Sequence, residues 1–172
     1  MIPQIFRTRI TDLFGIDHPL ICGGMMWLAD AAYVSAVARA GGIGFITPRS
    51  FPTPEDFREQ LRMAHDQSDG KPFGVNLITM HPDLMELIAV CGRHKVTHIV
   101  LAGGLPPRGS IDAIRETGAK IICFAPALSL AKKLLRTGVD ALVIEGMEAG
   151  GHIGPVSTSV LAQEILPEVA DQ

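Results

Sequence analysis

Val139-Asp140-Ala141-Leu142-Val143-Ile144-Glu145-Gly146-Met147-Glu148-Ala149-Gly150-Gly151-His152-Ile153-Gly154 carries a short apolar run straight into a glycine-rich segment with one histidine. The run reads as a buried strand. Gly146, Gly150, Gly151 and Gly154 then permit backbone turns and close ligand approaches that a Cβ would resist. His152 is thereby carried at the C-terminal end of a strand. In parallel α/β folds that end is where ligands bind, and imidazole is the side chain whose unperturbed pKa lies nearest neutrality. The same letters also describe a glycine-rich turn with a surface histidine; the strand-end position favours the chemical reading.

Upstream, Pro19 to Gly23, Ile43 to Ile46, Phe73 to Leu77, His98 to Leu101 and Lys120 to Phe124 repeat the pattern, with Ala141 to Glu145 as the sixth strand. All are short, apolar and bounded by Gly or Pro, as expected of strands buried on both faces. Helical segments alternate with them. Asp30 caps one that runs to about Ala40, with Tyr33, Val37 and Ala40 on one face, and Gly41 ends it. Thr53-Pro54-Glu55-Asp56 offers a capping hydroxyl, a proline at the first helical position and two acids in the first turn. Asp83 to about Cys91, Ser110 to Thr117 and Ser129 to Thr137 add three more, with Gly118 and Gly138 placed as left-handed caps, and Ser157 or Thr158 opens a last one. Each strand-plus-helix unit spans roughly 20 to 30 residues, the size of a βα step in a parallel sheet. A closed (β/α)₈ barrel needs eight such units and typically about 250 residues, whereas a doubly wound sheet can stop at six. Length alone favours the open sheet. Against that, no Gly-x-Gly-x-x-Gly follows the first strand, Gly23-Gly24-Met25-Met26 is a poor dinucleotide fingerprint, and no Walker-type loop occurs.

With 172 residues, 47% hydrophobic and 19% charged, the chain can bury a substantial core. It reads as one globular domain or part of a larger one. A net charge of -3 and the absence of a Lys/Arg run argue against nucleic acid or an anionic membrane as the main partner, leaving small molecules. Cys22, Cys91 and Cys123 have no metal-type spacing and read as reduced thiols, so a cytoplasmic location is expected. Met1 to Arg7 lacks a basic region followed by a long apolar stretch, and no segment approaches the roughly 18 apolar residues of a membrane span. His18, His65, His81, His94 and His98 do not pair with Cys or carboxylates at ligand spacing, so no metal site is expected and solvated or locally bonded histidines are. Lys132 and Lys133, in the C-terminal half of their helix, read as dipole-favourable surface charges.

Four ordered stretches, Pro19 to Met25, Ala40 to Gly44, Lys71 to Leu77 and Glu145 to Gly154, resemble the nitronate monooxygenase (2-nitropropane dioxygenase) family. That family includes flavin-dependent enoyl-acyl-carrier-protein reductases and some NADH:quinone reductases. The resemblance covers nearly the whole chain. It implies an α/β fold, an FMN-binding TIM (β/α)₈-type barrel of which residues 1–172 carry about the first six βα units. The seventh and eighth strands are not present, and in such barrels their loops bind phosphate. A fragment, a chain completed by a partner segment or a decayed paralogue is the expectation, with a homodimer or a strand-donating chain as candidate partner.

The resemblance also assigns residues. Gly23, Gly24 and Met25 follow the first strand, where backbone groups can hydrogen-bond a flavin edge and Met25 can cover a ring face. Asn76 ends the third strand with an amide suited to a pyrimidine-like edge or ribityl hydroxyl, or alternatively caps a turn. Gly150 and Gly151 let the backbone approach the cofactor, Glu145 is a weaker member of the site, and His152 is the implied catalytic residue. Phe124 stands where nitronate monooxygenases of one bacterial type carry lysine and the enoyl reductases an apolar residue, and Met147 to Gly154 is similar to the reductase loop. The default activity implied is O₂-dependent oxidation of alkyl nitronates to a carbonyl compound and nitrite. The alternatives are reduction of an enoyl thioester or quinone with NADH or NADPH, and a non-catalytic interaction protein.

Overall fold

The computed structural model describes residues 7–170. The reading of the extreme N-terminus, through residue 6, lies outside the described residues. The strands are β1 (Ile21–Cys22), β2 (Ile43–Ile46), β3 (Gly74–Ile78), β4 (His98–Ala102), β5 (Lys120–Ala125) and β6 (Ala141–Ile144). They form one sheet in chain order with every neighbouring pair parallel. Parallel neighbours cannot be joined by a tight turn, so each step crosses back through a helix. The helices are α1 (Arg9–Phe14), α2 (Ala31–Arg39), α3 (Pro54–Gln67), α4 (Leu84–Arg93), α5 (Ser110–Thr117), α6 (Leu128–Leu135) and α7 (Thr158–Val169).

Local signals set the helix ends. At the start of α3, Thr53 accepts from the backbone N–H of Asp56 while Asp56 accepts from that of Thr53, a reciprocal capping box with Pro54 at the first turn. The Asp30 carboxylate caps α2 by accepting from Tyr33 N–H at 2.8 Å. α5 ends on Gly118 with φ 81°, a left-handed residue that costs glycine nothing. Lys132 and Lys133 sit in the last turn of α6, and Lys132 pairs with Glu168 of α7 at 2.5 Å.

The period-2 alternation of the strands divides the core into two. Val75, Leu77, Ile99, Leu101, Ile121 and Cys123 face the helices, where they pack with Val34, Phe57, Leu61, Ile88 and Ile114. Full burial of such a side chain is worth about 1.5–3 kcal/mol. The alternate residues Phe45, Val100 and Ile122 turn to the concave face and meet Phe14 and Ile16 from the α1 end, with Phe124, Ala141 and Val143 against them. Phe14 stacks on His98 at a centroid distance of 4.9 Å. His98 Nδ1 lies 2.8 Å from the Thr97 hydroxyl, and Nε2 lies 3.4 Å from the Leu13 carbonyl. The inner layer tolerates no extra atom at Gly74: a Cβ there would sit 2.2 Å from the Phe45 ring and 2.8 Å from the His98 carbonyl.

Three expectations about these elements need correction, and one helix was missed. β1 is Ile21–Cys22 rather than Pro19 to Gly23, because Pro19 has no N–H and Leu20 N–H turns back to the His18 carbonyl. The buried stripe of α2 is Ala31, Val34, Ser35 and Ala38; Tyr33 and Val37 flank it half-buried and Ala40 is exposed. The end strands β1 and β6 are only partly buried: β1 has one exposed and one half-buried residue, and all four residues of β6 are half-buried. Finally, α1 was not anticipated; Thr8 and Thr11 cap it reciprocally. Cys91 and Cys123 are buried free thiols, and burial pushes both up to about 12. Cys22 is free and half-buried. Among the described residues, no helix is long and apolar enough to cross a membrane.

Two predictions follow from the inner core. Gly74→Ala should destabilise the fold by about 1–3 kcal/mol through overpacking, read as a lower urea midpoint at unchanged slope. Burial holds His98 below its ordinary imidazole value; the Leu13 carbonyl opposes this, nearby Lys120 adds to it, and Asp140 counters Lys120. The folded state therefore keeps His98 neutral at pH values where the unfolded chain takes up a proton. Stability is complete above the ordinary value of about 6.5 and is lost as pH falls below it. Urea midpoints measured from pH 7.5 to 5.5 should fall, and His98→Gln should flatten that fall.

Candidate active site

Parallel pairing brings every strand-to-helix loop to one end of the sheet, so the loops after β1, β2, β3, β4 and β6 share one rim. On it the structure joins three residues from separate strands. A Cβ built on Gly24 would stand 2.5 Å from Asn76 Cβ and 2.5 Å from Thr47 Oγ1. The backbone after β1 thus lies directly on the first residue past β2 and on the concave side of β3. Only glycine permits that approach. Asn76 does not end its strand as expected: β3 continues to Ile78, and Asn76 is its middle residue, in register with Val100. The ladder already satisfies its backbone, so its half-buried amide is left to serve the concave face. No hydrogen bond from that amide occurs within the described residues.

Sequence reasoning missed Thr47. Its side chain is 2% exposed, and its hydroxyl is the one buried side-chain polar atom among the described residues without a hydrogen-bond partner. The available signal was a hydroxyl residue ending the apolar run Ile43–Ile46 immediately before Pro48. Thr47, Arg49, Asn76 and His81 line a small cleft at this point.

The β6–α7 loop is built by its glycines and by one acid. Gly154 N–H donates to the Gly146 carbonyl at 3.1 Å, and a Cβ on Gly154 would collide with the Glu145 carbonyl at 2.4 Å. Met147 N–H donates to the Val156 carbonyl at 2.8 Å, closing the loop's base. Glu148 accepts from both the N–H and the hydroxyl of Thr158, at 2.8 and 2.7 Å, and these bonds hold its carboxyl below the usual range. It therefore caps α7 from ten residues away, at the positive end of the helix. Gly151 takes φ 82°, and open space surrounds Gly150 and Gly151. His152 stands exposed at the tip and makes no hydrogen bond within the described residues. Glu145 is half-buried at the end of β6. The structure therefore unites Gly24, Thr47 and Asn76 and presents His152 on a separate loop of the same rim.

The rim is apolar. Met25, Met26, Trp27 and Leu28 after β1, Met80 after β3, Leu105 after β4, and Met147 and Ile153 after β6 are all exposed. Gly23 has open space around it, and Phe124 lies half-buried on the concave side. An open glycine backbone, an inward amide and an unpaired buried hydroxyl beneath an apolar rim suit a flat heteroaromatic ring edged with polar atoms.

Comparison with known proteins identifies the family of the chain. A family model described as nitronate monooxygenase matches residues 7–99 and 87–172. A Mycobacterium tuberculosis protein named (3aS,4S,5R,7aS)-5-hydroxy-7a-methyl-1-oxo-octahydro-1H-indene-4-carboxyl-CoA dehydrogenase is 36% identical over 95% of this chain, which spans 45% of that protein. A Pseudomonas aeruginosa nitronate monooxygenase is 28% identical over 85% of the chain and is spanned over 52% of its length. The solved structure of FabK from Thermotoga maritima, 40% identical, superposes with a TM-score of 0.88 over 95% of the chain and 52% of its own. The chain thus spans about half the length of these relatives, and its sheet is a six-stranded parallel half of a TIM barrel. It belongs to the nitronate monooxygenase family.

Proposed function

We propose that this chain forms the ring-binding half of an FMN-dependent oxidoreductase whose substrate is an α,β-unsaturated acyl thioester. The observation that carries the reading is the apolar rim, from Met25–Leu28 to Met147 and Ile153, with Phe124 behind it. A small nitronate anion gains little from these apolar side chains, because an anion needs a cation or aligned donors to offset its desolvation; Arg49, lining the cleft with Thr47 and Asn76, is the cation that would favour it. An acyl chain gains about 25 cal/mol for each Å² it buries. Similarity to a CoA dehydrogenase and to FabK, a flavin-dependent enoyl-acyl-carrier-protein reductase, supports the same class.

Gly23 and Gly24 offer backbone groups to the flavin edge, Asn76 offers an amide, and Gly150 and Gly151 allow close approach from the opposite loop. FMN, when bound, supplies the exchange of an electron pair between NADH or NADPH and the substrate carbon. The protein's own residues do the rest. Apolar rim side chains hold the acyl chain and exclude water. His152 would donate a hydrogen bond that orients the thioester carbonyl, or would protonate it as charge gathers on its oxygen. The part of the barrel past the sixth unit, on further chain or on a partner, would hold the phosphate. O₂-dependent nitronate oxidation is the second reading, supported by the P. aeruginosa relative.

Two outcomes are expected of the full-length protein. Its kcat/KM for a medium-chain enoyl thioester with NADH or NADPH should exceed that for propyl nitronate with O₂ by tenfold or more, on the order of 1.4 kcal/mol in barrier. Nitronate winning by that margin would reverse the assignment. His152→Asn should retain bound flavin and its melting temperature while kcat/KM falls at least about a hundredfold, within the range of acid–base histidines. Near-normal turnover on every accepted substrate would make His152 a bystander.

A further inference from the structure

We infer that Thr47 is a flavin-binding residue, its hydroxyl gaining a hydrogen-bond partner when the cofactor seats between β2 and the loop after β1. This rests on the FMN reading above. Four other buried hydroxyls have partners. Thr11 donates to the Thr8 carbonyl at 2.8 Å, Ser35 to Ala64 at 3.5 Å, Thr79 to Gly103 at 2.9 Å and Ser110 to Pro107 at 2.7 Å. Among the described residues, the Thr47 hydroxyl is the one side-chain polar atom that is both fully buried and without a partner. A buried, unmet hydroxyl destabilises the state that contains it.

Its position says what would meet it. Thr47 stands at the rim end of β2, under Gly24 and beside Asn76. The Gly23–Leu28 loop that covers it carries a second cost. Trp27 takes φ 68° in the left-handed region, which a bulky side chain resists, and its indole is 75% exposed. The loop is pinned at Trp27 N–H to the Ser50 hydroxyl, 2.9 Å, and at Ala29 N–H to the Met25 carbonyl, 2.9 Å. Displacing the Gly24 backbone would open one surface holding the Thr47 hydroxyl and the Asn76 amide, two donors that both lie against Gly24. The isoalloxazine edge carries carbonyl oxygens and ring nitrogens that accept such bonds. Thr47 then donates to the ring, and the penalty paid in the flavin-free form is recovered in the complex.

This arrangement gives opposite signs to two measurements. Thr47→Val keeps the shape and removes the hydroxyl, so it relieves the flavin-free protein but deprives the complex of a bond. The test uses the full-length protein stripped of flavin, titrated with FMN by quenching of flavin fluorescence, with the melting temperature of the stripped form recorded in parallel. Thr47→Val should raise the FMN Kd about tenfold, the effect of one hydrogen bond, while leaving the flavin-free melting temperature unchanged or higher. Thr47→Ser should bind FMN within roughly threefold of wild type, because the donor is retained. A Thr47→Val Kd within twofold of a wild type that does bind FMN would overturn the inference and leave the flavin reading standing. So would a Thr47→Val protein that loses affinity together with flavin-free stability, since that marks a packing role. A wild type that binds no FMN would remove the flavin reading and this inference with it.

Discussion

Parallel pairing in strict chain order is the constraint on which the rest of the molecule depends. A strand such as β4, with Ile99 and Leu101 against the helices and His98 and Val100 against the concave face, has no solvent side. Its neighbours run in the same direction, so the chain must return outside the sheet. The helices α2 to α6 are those returns, and their apolar stripes close the outer core. All the strand-to-helix loops then meet at one rim, which is how Gly24, Thr47 and Asn76, far apart in sequence, come into contact. The opposite end is stopped by α1, whose Phe14 lies on His98.

The rim spends what the core saves. Throughout the described core, buried polar side-chain atoms are bonded; at the rim Thr47 is not, Trp27 is strained, and large apolar side chains face water. Such costs concentrate where a ligand offsets them. The β6–α7 loop is different in kind. Glu148 on Thr158 and Gly154 on Gly146 fix its base, leaving His152 and its flanking glycines as the free tip.

Much of this was legible in the letters. The Thr53-Pro54-Glu55-Asp56 start of α3, the span of α5 with Gly118 past its end, and β2 stand as read, because local capping chemistry and a continuous apolar run decide them. What depends on contacts between distant residues was not legible. The inward stripe of α2 follows Gly44, whose Cβ would stand 2.9 Å from Val34 Cα, a close approach that no periodicity announces. α1 is six residues long, too short for a periodic signal. Thr47 drew no reading in the sequence; its meaning lies in the missing partner, which only three dimensions reveal. Of the site residues read from the sequence, Gly24 and Asn76 meet in space, while His152, Gly150 and Gly151 occupy the same rim on their own loop.

The central claim is that this rim holds a flavin. The most direct measurement is the visible spectrum of the full-length protein purified without added cofactor, with the released chromophore identified after denaturation. The account predicts a flavin spectrum and FMN released at about one per chain. A colourless protein that stays colourless after incubation with FMN would contradict it.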